Sequence, residues 1–115
     1  MKQTGGCHCG NVRYEAEMEL KNGISCNCSM CMKRGTLLDF IPEDKFKILK
    51  GEEHLKKYQF NKHVIDHLFC DNCGILSFAR GATPDGKKMI AINLRCLDGF
   101  ELSKIKIQEF DGRSH

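Results

Sequence analysis

The chain has 115 residues, eight of them cysteine, with no tryptophan and 18 basic against 15 acidic side chains for a formal charge of +3. That length carries one domain, residues 1–115, with a modest core that gains from cross-linking. The near balance of charge gives no strong nucleic-acid signal, and no run approaches the ~18 apolar residues of a membrane span.

The opening "MKQTGGCHCG" lacks the apolar stretch and cleavage site of a secretory signal. The chain therefore reads as cytoplasmic, where thiols stay reduced and clustered cysteines hold metal more often than disulfides. After it, "NVRYEAEM" (11–18) shows the clearest two-residue alternation, with Val12, Tyr14, Ala16 and Met18 on one face and Arg13, Glu15 and Glu17 on the other. Helical period is scarce, confined to a turn at Ser29–Lys33 and a short "PEDK" turn (42–45). Further strands are expected at "TLLDFI" (36–41), "KFKILK" (45–50), "LKKYQF" (55–60) and "VIDHLFC" (64–70). "ILSFAR" (75–80) and "KMIAINL" (88–94) flank "ATPDGKK", whose Pro-Asp-Gly predicts an antiparallel hairpin turn. "KIKIQEF" (104–110) is the last strand, and glycines read as the breaks between segments. The class is all-β, built of short antiparallel strands.

The cysteines fall into groups: Cys7 and Cys9, then Cys26, Cys28 and Cys31, then Cys70 and Cys73, with Cys96 alone. A structural zinc takes four soft donors in a closed tetrahedron. Cys7 and Cys9 with Cys70 and Cys73 make one complete set, joining segments some sixty residues apart. Cys26, Cys28 and Cys31 make three thiolates with an open fourth position, the pattern of a catalytic zinc that takes water or substrate there. Closure by Cys96, His8 or a partner would make this second site structural instead. A disulfide framework of eight cysteines has 105 pairings, but closely spaced Cys-x-Cys pairs suit metal better. Cys96 follows a strand and reads as a small buried hydrophobe. His8 points away from a metal held by its neighbours, and His54, His63 and His67 read as surface or packing residues. Lys33 and Arg34, just past Cys31, are candidates for a substrate carboxylate, against a plain reading as surface charge.

Taken together, "GGCHCGNVRYE", "CNCSMCMKRG", "FCDNCGILSF" and "NLRCLDG" resemble the glutathione-dependent formaldehyde-activating enzyme family, which includes centromere protein V. Asn27 stands where that family commonly has histidine. The resemblance implies a fold of several coiled antiparallel β-sheets (a β-tent) stapled by zinc. It implies two zinc ions, a structural one on Cys7, Cys9, Cys70 and Cys73 and a catalytic one on Cys26, Cys28 and Cys31. The implied activity is a carbon–sulfur lyase that adds a small thiol, glutathione or similar, to formaldehyde. Zinc would lower the thiol's pKa so that thiolate forms near neutral pH. The competing expectation is a non-catalytic, zinc-stapled interaction module with both metals structural.

Overall fold

A computed structural model describes residues 2–59 and 65–111. The expectations for Phe60, His63 and Val64 lie outside the described residues. The structure is predominantly β, as the alternation predicts, and divides into two sheets.

The smaller sheet has three antiparallel strands in the order β1 (Lys2–Gly6), β2 (Arg13–Glu17), β5 (Phe46–Lys50). The face of β2 that alternation marks as apolar is the buried one: Val12, Tyr14, Ala16 and Met18 are all inaccessible or nearly so. The larger sheet runs in the order β10-β3-β4-β9-β8-β7-β6. Its strands are β3 (Asn22–Cys26), β4 (Leu38–Pro42), β6 (Leu55–Tyr58), β7 (Asp66–Cys70), β8 (Leu76–Ala82), β9 (Lys88–Asn93) and β10 (Lys106–Phe110). The predicted hairpin turn joins β8 and β9: Thr83 N–H donates to Lys87 O, Gly86 N–H donates to Thr83 O, and Gly86 takes φ +93°. One pair departs from the antiparallel expectation, since β10 lies parallel to β3 with Phe110 opposite Cys26.

The two sheets meet through one core. Tyr14, Phe46 and Phe78 form an aromatic triangle with centroids 4.6–5.9 Å apart, ringed by Ile90, Ile92, Leu94 and Leu97. Each large apolar side chain fully removed from water contributes about 1.5–3 kcal/mol, so this cluster holds the two sheets together. A second, smaller cluster of Cys7, Val12 and Cys70 lies where the β1–β2 turn meets the end of β7.

Two strands escape the sequence reading. β1 contains Gly5-Gly6 and β3 contains Gly23, and glycines mark breaks in a pattern search. Here they mark close packing. A Cβ on Gly23 would stand 3.1 Å from both Ile105 Cγ2 and Leu94 Cδ1, so the bare backbone is what lets β3 lie against the core.

Candidate functional site

All eight cysteines are free thiols, so a disulfide framework is not what holds the fold. Seven of them gather in the two expected groups.

In the first group, Cys7 and Cys9 come from the β1–β2 turn, and Cys70 and Cys73 from the end of β7 and the turn after it. Local backbone shapes each half. Val12 N–H donates to Cys7 Sγ (3.3 Å) and Asn72 N–H to Cys70 Sγ (3.4 Å), while Gly74 (φ +78°) returns its N–H to Cys70 O at 2.9 Å. The four sulfurs lie within 4.8 Å of one another, and the Cys7–Cys9 and Cys9–Cys70 pairs are 3.6 Å apart. Four sulfurs bound about 2.3 Å from a tetrahedral zinc ion stand about 3.8 Å apart. The donor set and its spacing therefore fit such an ion. Crowding already divides the thiols: burial pushes Cys70 up to about 11, and hydrogen bonds from Asn72 and Asn11 bring Cys9 down to about 6. So many thiolates this close ionise together only around a cation.

In the second group, Cys26 ends β3, and Cys28 caps the helix α1 (Ser29–Arg34) that carries Cys31. Cys28 N–H donates to Cys26 Sγ (3.4 Å) and Cys31 N–H to Cys28 Sγ (3.3 Å), so the turn that starts the helix also aims the thiols at one point. Burial raises Cys28, but hydrogen bonds from the Cys31 amide, from the Cys31 and Cys26 thiols and from the Met30 amide together outweigh it and leave the thiol below its ordinary range. Cys31 is pushed up to about 12, by burial first and then by Cys28. Gly35 (φ +73°) ends the helix, its N–H returned to Cys31 O. The three sulfurs lie within 4.8 Å of one another, and among the described residues no histidine, carboxylate or further cysteine joins them. Three soft donors without a fourth again suit zinc, with one position left for an outside ligand.

Cys96 belongs to neither group. Its Sγ accepts from Asn93 Nδ2 (3.4 Å) and donates to Leu76 O (3.6 Å), and burial pushes the thiol up to about 11. His8 is exposed, and so is Lys33. Arg34 turns inward.

A cavity of about 410 Å³ opens beside the three-thiol group and is bordered by Cys26, Cys28, Cys31, Arg34, Thr36 and His67. Its size is that of small-molecule sites, roughly 300–1,000 Å³. The four-thiol group does not border it. Arg34 Nη1 donates to His67 Nδ1 at 3.3 Å, and burial, then the Arg34 charge, lowers His67 from its ordinary value, keeping the ring neutral. Sequence reasoning gave His67 a surface or packing role. It is 7% exposed, yet it also forms part of the cavity wall, and nothing in "VIDHLFC" signals that. Only the pairing of β7 with β8, His67 opposite Ala79, brings it there.

A small β-sheet protein with a four-thiol cluster joining segments of its two sheets and a three-thiol cluster on a cavity has two groups that could each hold a metal ion and that differ in access. The chain belongs to the glutathione-dependent formaldehyde-activating enzyme family, whose model matches residues 2–111. The fold is also similar to the crystal structure of a Rhodobacter sphaeroides protein, a Northeast Structural Genomics target. That likeness has a TM-score of 0.78 at 26% identity and covers 91% of this chain and 99% of that one. Membership supports a function connected with glutathione and formaldehyde. Among the described residues no helix is long and apolar enough to cross a membrane.

Proposed function

We propose that the protein is a zinc-dependent carbon–sulfur lyase that joins a small thiol, glutathione or similar, to an aldehyde, or releases it. Cys7, Cys9, Cys70 and Cys73 would hold a structural ion, and Cys26, Cys28 and Cys31 a catalytic one. One observation carries the division: the three-thiol group borders the cavity, whereas the four-thiol group does not. Zinc held by these three thiolates would supply a Lewis-acid position that lowers the pKa of a substrate thiol toward neutral.

The chain's own residues supply the rest. Cys26, Cys28 and Cys31 are the ligands, pre-aimed by the N-terminal turn of α1. Three thiolates leave the site net negative, and the half-buried Arg34 guanidinium, within electrostatic reach of Cys31 and Cys28, offsets that charge. His67 fixes the guanidinium through Nδ1. In the addition, the S–H bond breaks and the sulfur pair forms a bond to the carbonyl carbon. The C=O π pair moves to oxygen, which takes the proton. The reverse reaction expels thiol and aldehyde.

Cobalt substituted at the three-thiol site tests the open position. Adding glutathione should shift the visible absorption toward that of four thiolates, and wild-type protein should speed exchange between glutathione, formaldehyde and their adduct while Cys28→Ser should not. A spectrum that begins as four thiolates and ignores added thiol would make the second metal structural and remove the basis of the lyase reading.

A further inference from the structure

We propose that the C-terminal strand β10 is the positioning element of the three-thiol group, and that Asp111 completes it by holding Asn27 between two of the ligands. The inference rests on the reading above that Cys26, Cys28 and Cys31 hold an ion, and not on the reaction assigned to it.

The three thiols lie on a segment with little support of its own. Cys26 ends β3, and β3 meets β4 at one pair, Ile24 opposite Leu38. The helix α1, capped by Cys28 and carrying Cys31, has six residues, none of them buried. Isolated helices below ~12–15 residues are marginal in water, so α1 depends on what grips its ends. Its C-terminal end is tied to β7 by the contact between Arg34 and His67. Its N-terminal end, where the ligands converge, is tied to β10.

β10 runs along the whole of β3, from Lys106 opposite Asn22 to Phe110 opposite Cys26. It is rooted at Ile105, which is buried in the core, and Lys106 N–H donates to Lys21 O at 2.9 Å. From there on every residue of the strand is exposed, so core packing does not set the course of its far end. Two hydrogen bonds do. Asn27 N–H donates to Phe110 O at 3.1 Å, and Asn27 Nδ2 donates to Asp111 Oδ1 at 2.9 Å. Asn27 is the residue between Cys26 and Cys28. A turn of its backbone swings one sulfur away from the other, so bonds that fix Asn27 also fix the spacing of these two ligands.

The hold and the ion must then support each other. If a fixed Asn27 raises the affinity of the three thiols for a metal, the bound metal strengthens the hold by the same factor. An exposed edge strand is thereby seated more firmly when the centre is filled.

Graded chelation that leaves the four-thiol ion in place allows cobalt to be titrated into the three-thiol group against a competing chelator. Asp111→Ala should weaken this cobalt about two- to tenfold, the worth of one net hydrogen bond. Asp111→Asn, which keeps an acceptor oxygen, should bind close to wild type. Asn27→Ala should match Asp111→Ala, and the double variant should lose no more than either alone. The four-thiol zinc should resist the chelator equally in all of them, which a general loss of stability would not allow. Amide exchange at Asn27, followed by nuclear magnetic resonance, should slow when zinc refills the three-thiol group, and slow less in Asp111→Ala. Equal cobalt affinity in Asp111→Ala and wild type overturns the inference. So does equal weakening in Asp111→Asn, which would make charge rather than the hydrogen bond the cause, and so does weakening of both metal groups alike. A wild-type chain that takes up no cobalt beyond the four-thiol ion defeats the metal reading itself, and the inference with it.

Discussion

Gly5 and Gly99 are both small residues near the N-terminal strand, but only one is held at van der Waals range. A Cβ on Gly5 would stand 2.6 Å from Cys96 O and 2.9 Å from Tyr14 Oη, because Gly5 bridges to Leu97 across the sheet edge. The first obstacle is backbone and the second belongs to a fully buried ring, so neither steps aside cheaply. Gly5→Ala should cost about 1–3 kcal/mol, the usual price of overpacking. Gly99→Ala, whose Cβ would meet only Gln3 Oε1 at 3.8 Å, should melt close to wild type. Thermal unfolding followed by circular dichroism compares them, and coincident curves would show that the close approach is not what requires glycine at Gly5. At this scale the sequence was partly legible. The two thiol groups were readable because ligand spacing is a local property, and the Ser29–Lys33 turn appears as α1 for the same reason. Thr36 and His67 were not, since their places on the cavity wall depend on strand pairing.

Among the elements, the "CLDG" segment does more than follow a strand. Asp98 accepts from both Arg13 Nη groups and from Thr4 Oγ1 (2.7 Å), and its N–H donates to Thr4 O (2.9 Å), so one residue clasps β1 and β2 together. The hydrogen bond from Arg13, then that from Thr4, holds the carboxyl below its usual range. A depressed value stabilises the fold above the unfolded carboxyl's pKa, about 3.9, and that gain is lost as pH falls through the lower folded value. Thiolate sites release their metal during such acidification because the ligands protonate, so salt is the cleaner lever. Asp98→Asn should destabilise by no more than about 1 kcal/mol, since the carboxylate is 51% exposed and screened. The gap to wild type should narrow in ~1 M salt, where the Debye length is about 3 Å. A gap indifferent to salt would assign Asp98 a hydrogen-bonding role alone. Strands with clean alternation or a strong turn, β2 and the β8–β9 hairpin, were plain in the sequence. β1 and β3 were hidden by glycines placed for close contact. The parallel pairing of β10 with β3 was beyond any local pattern, because a strand's own residues do not encode the direction of its neighbour.

For the molecule as a whole, the two cysteine groups differ in what they connect. The four-thiol group ties the three-stranded sheet to the seven-stranded one, whereas the three-thiol group lies within one short stretch, Cys26 to Cys31. Zinc at a structural site contributes roughly 10–16 kcal/mol in small peptides, comparable to the stability of an entire domain, about 5–15 kcal/mol. Cys70→Ser should therefore unfold or aggregate the protein, and Cys28→Ser should leave it folded. Graded chelation of the wild type should remove one zinc per chain before the far-ultraviolet spectrum changes, and the second together with it. Equal melting temperatures for the two variants, or loss of both ions in one step with the fold, would contradict the assignment. The same difference in connection has a consequence for the order of events during synthesis. Cys26, Cys28 and Cys31 leave the ribosome together, and little chain entropy opposes their gathering. Cys7 and Cys9 wait until Cys73 has been made, and a loop of some sixty residues must then close. The three-thiol group is thus the earlier to be able to take up an ion. A nascent chain short of metal would carry its ion where substrate is expected to bind and still lack the one that fastens its sheets, so scarcity during translation would be felt first as misfolding.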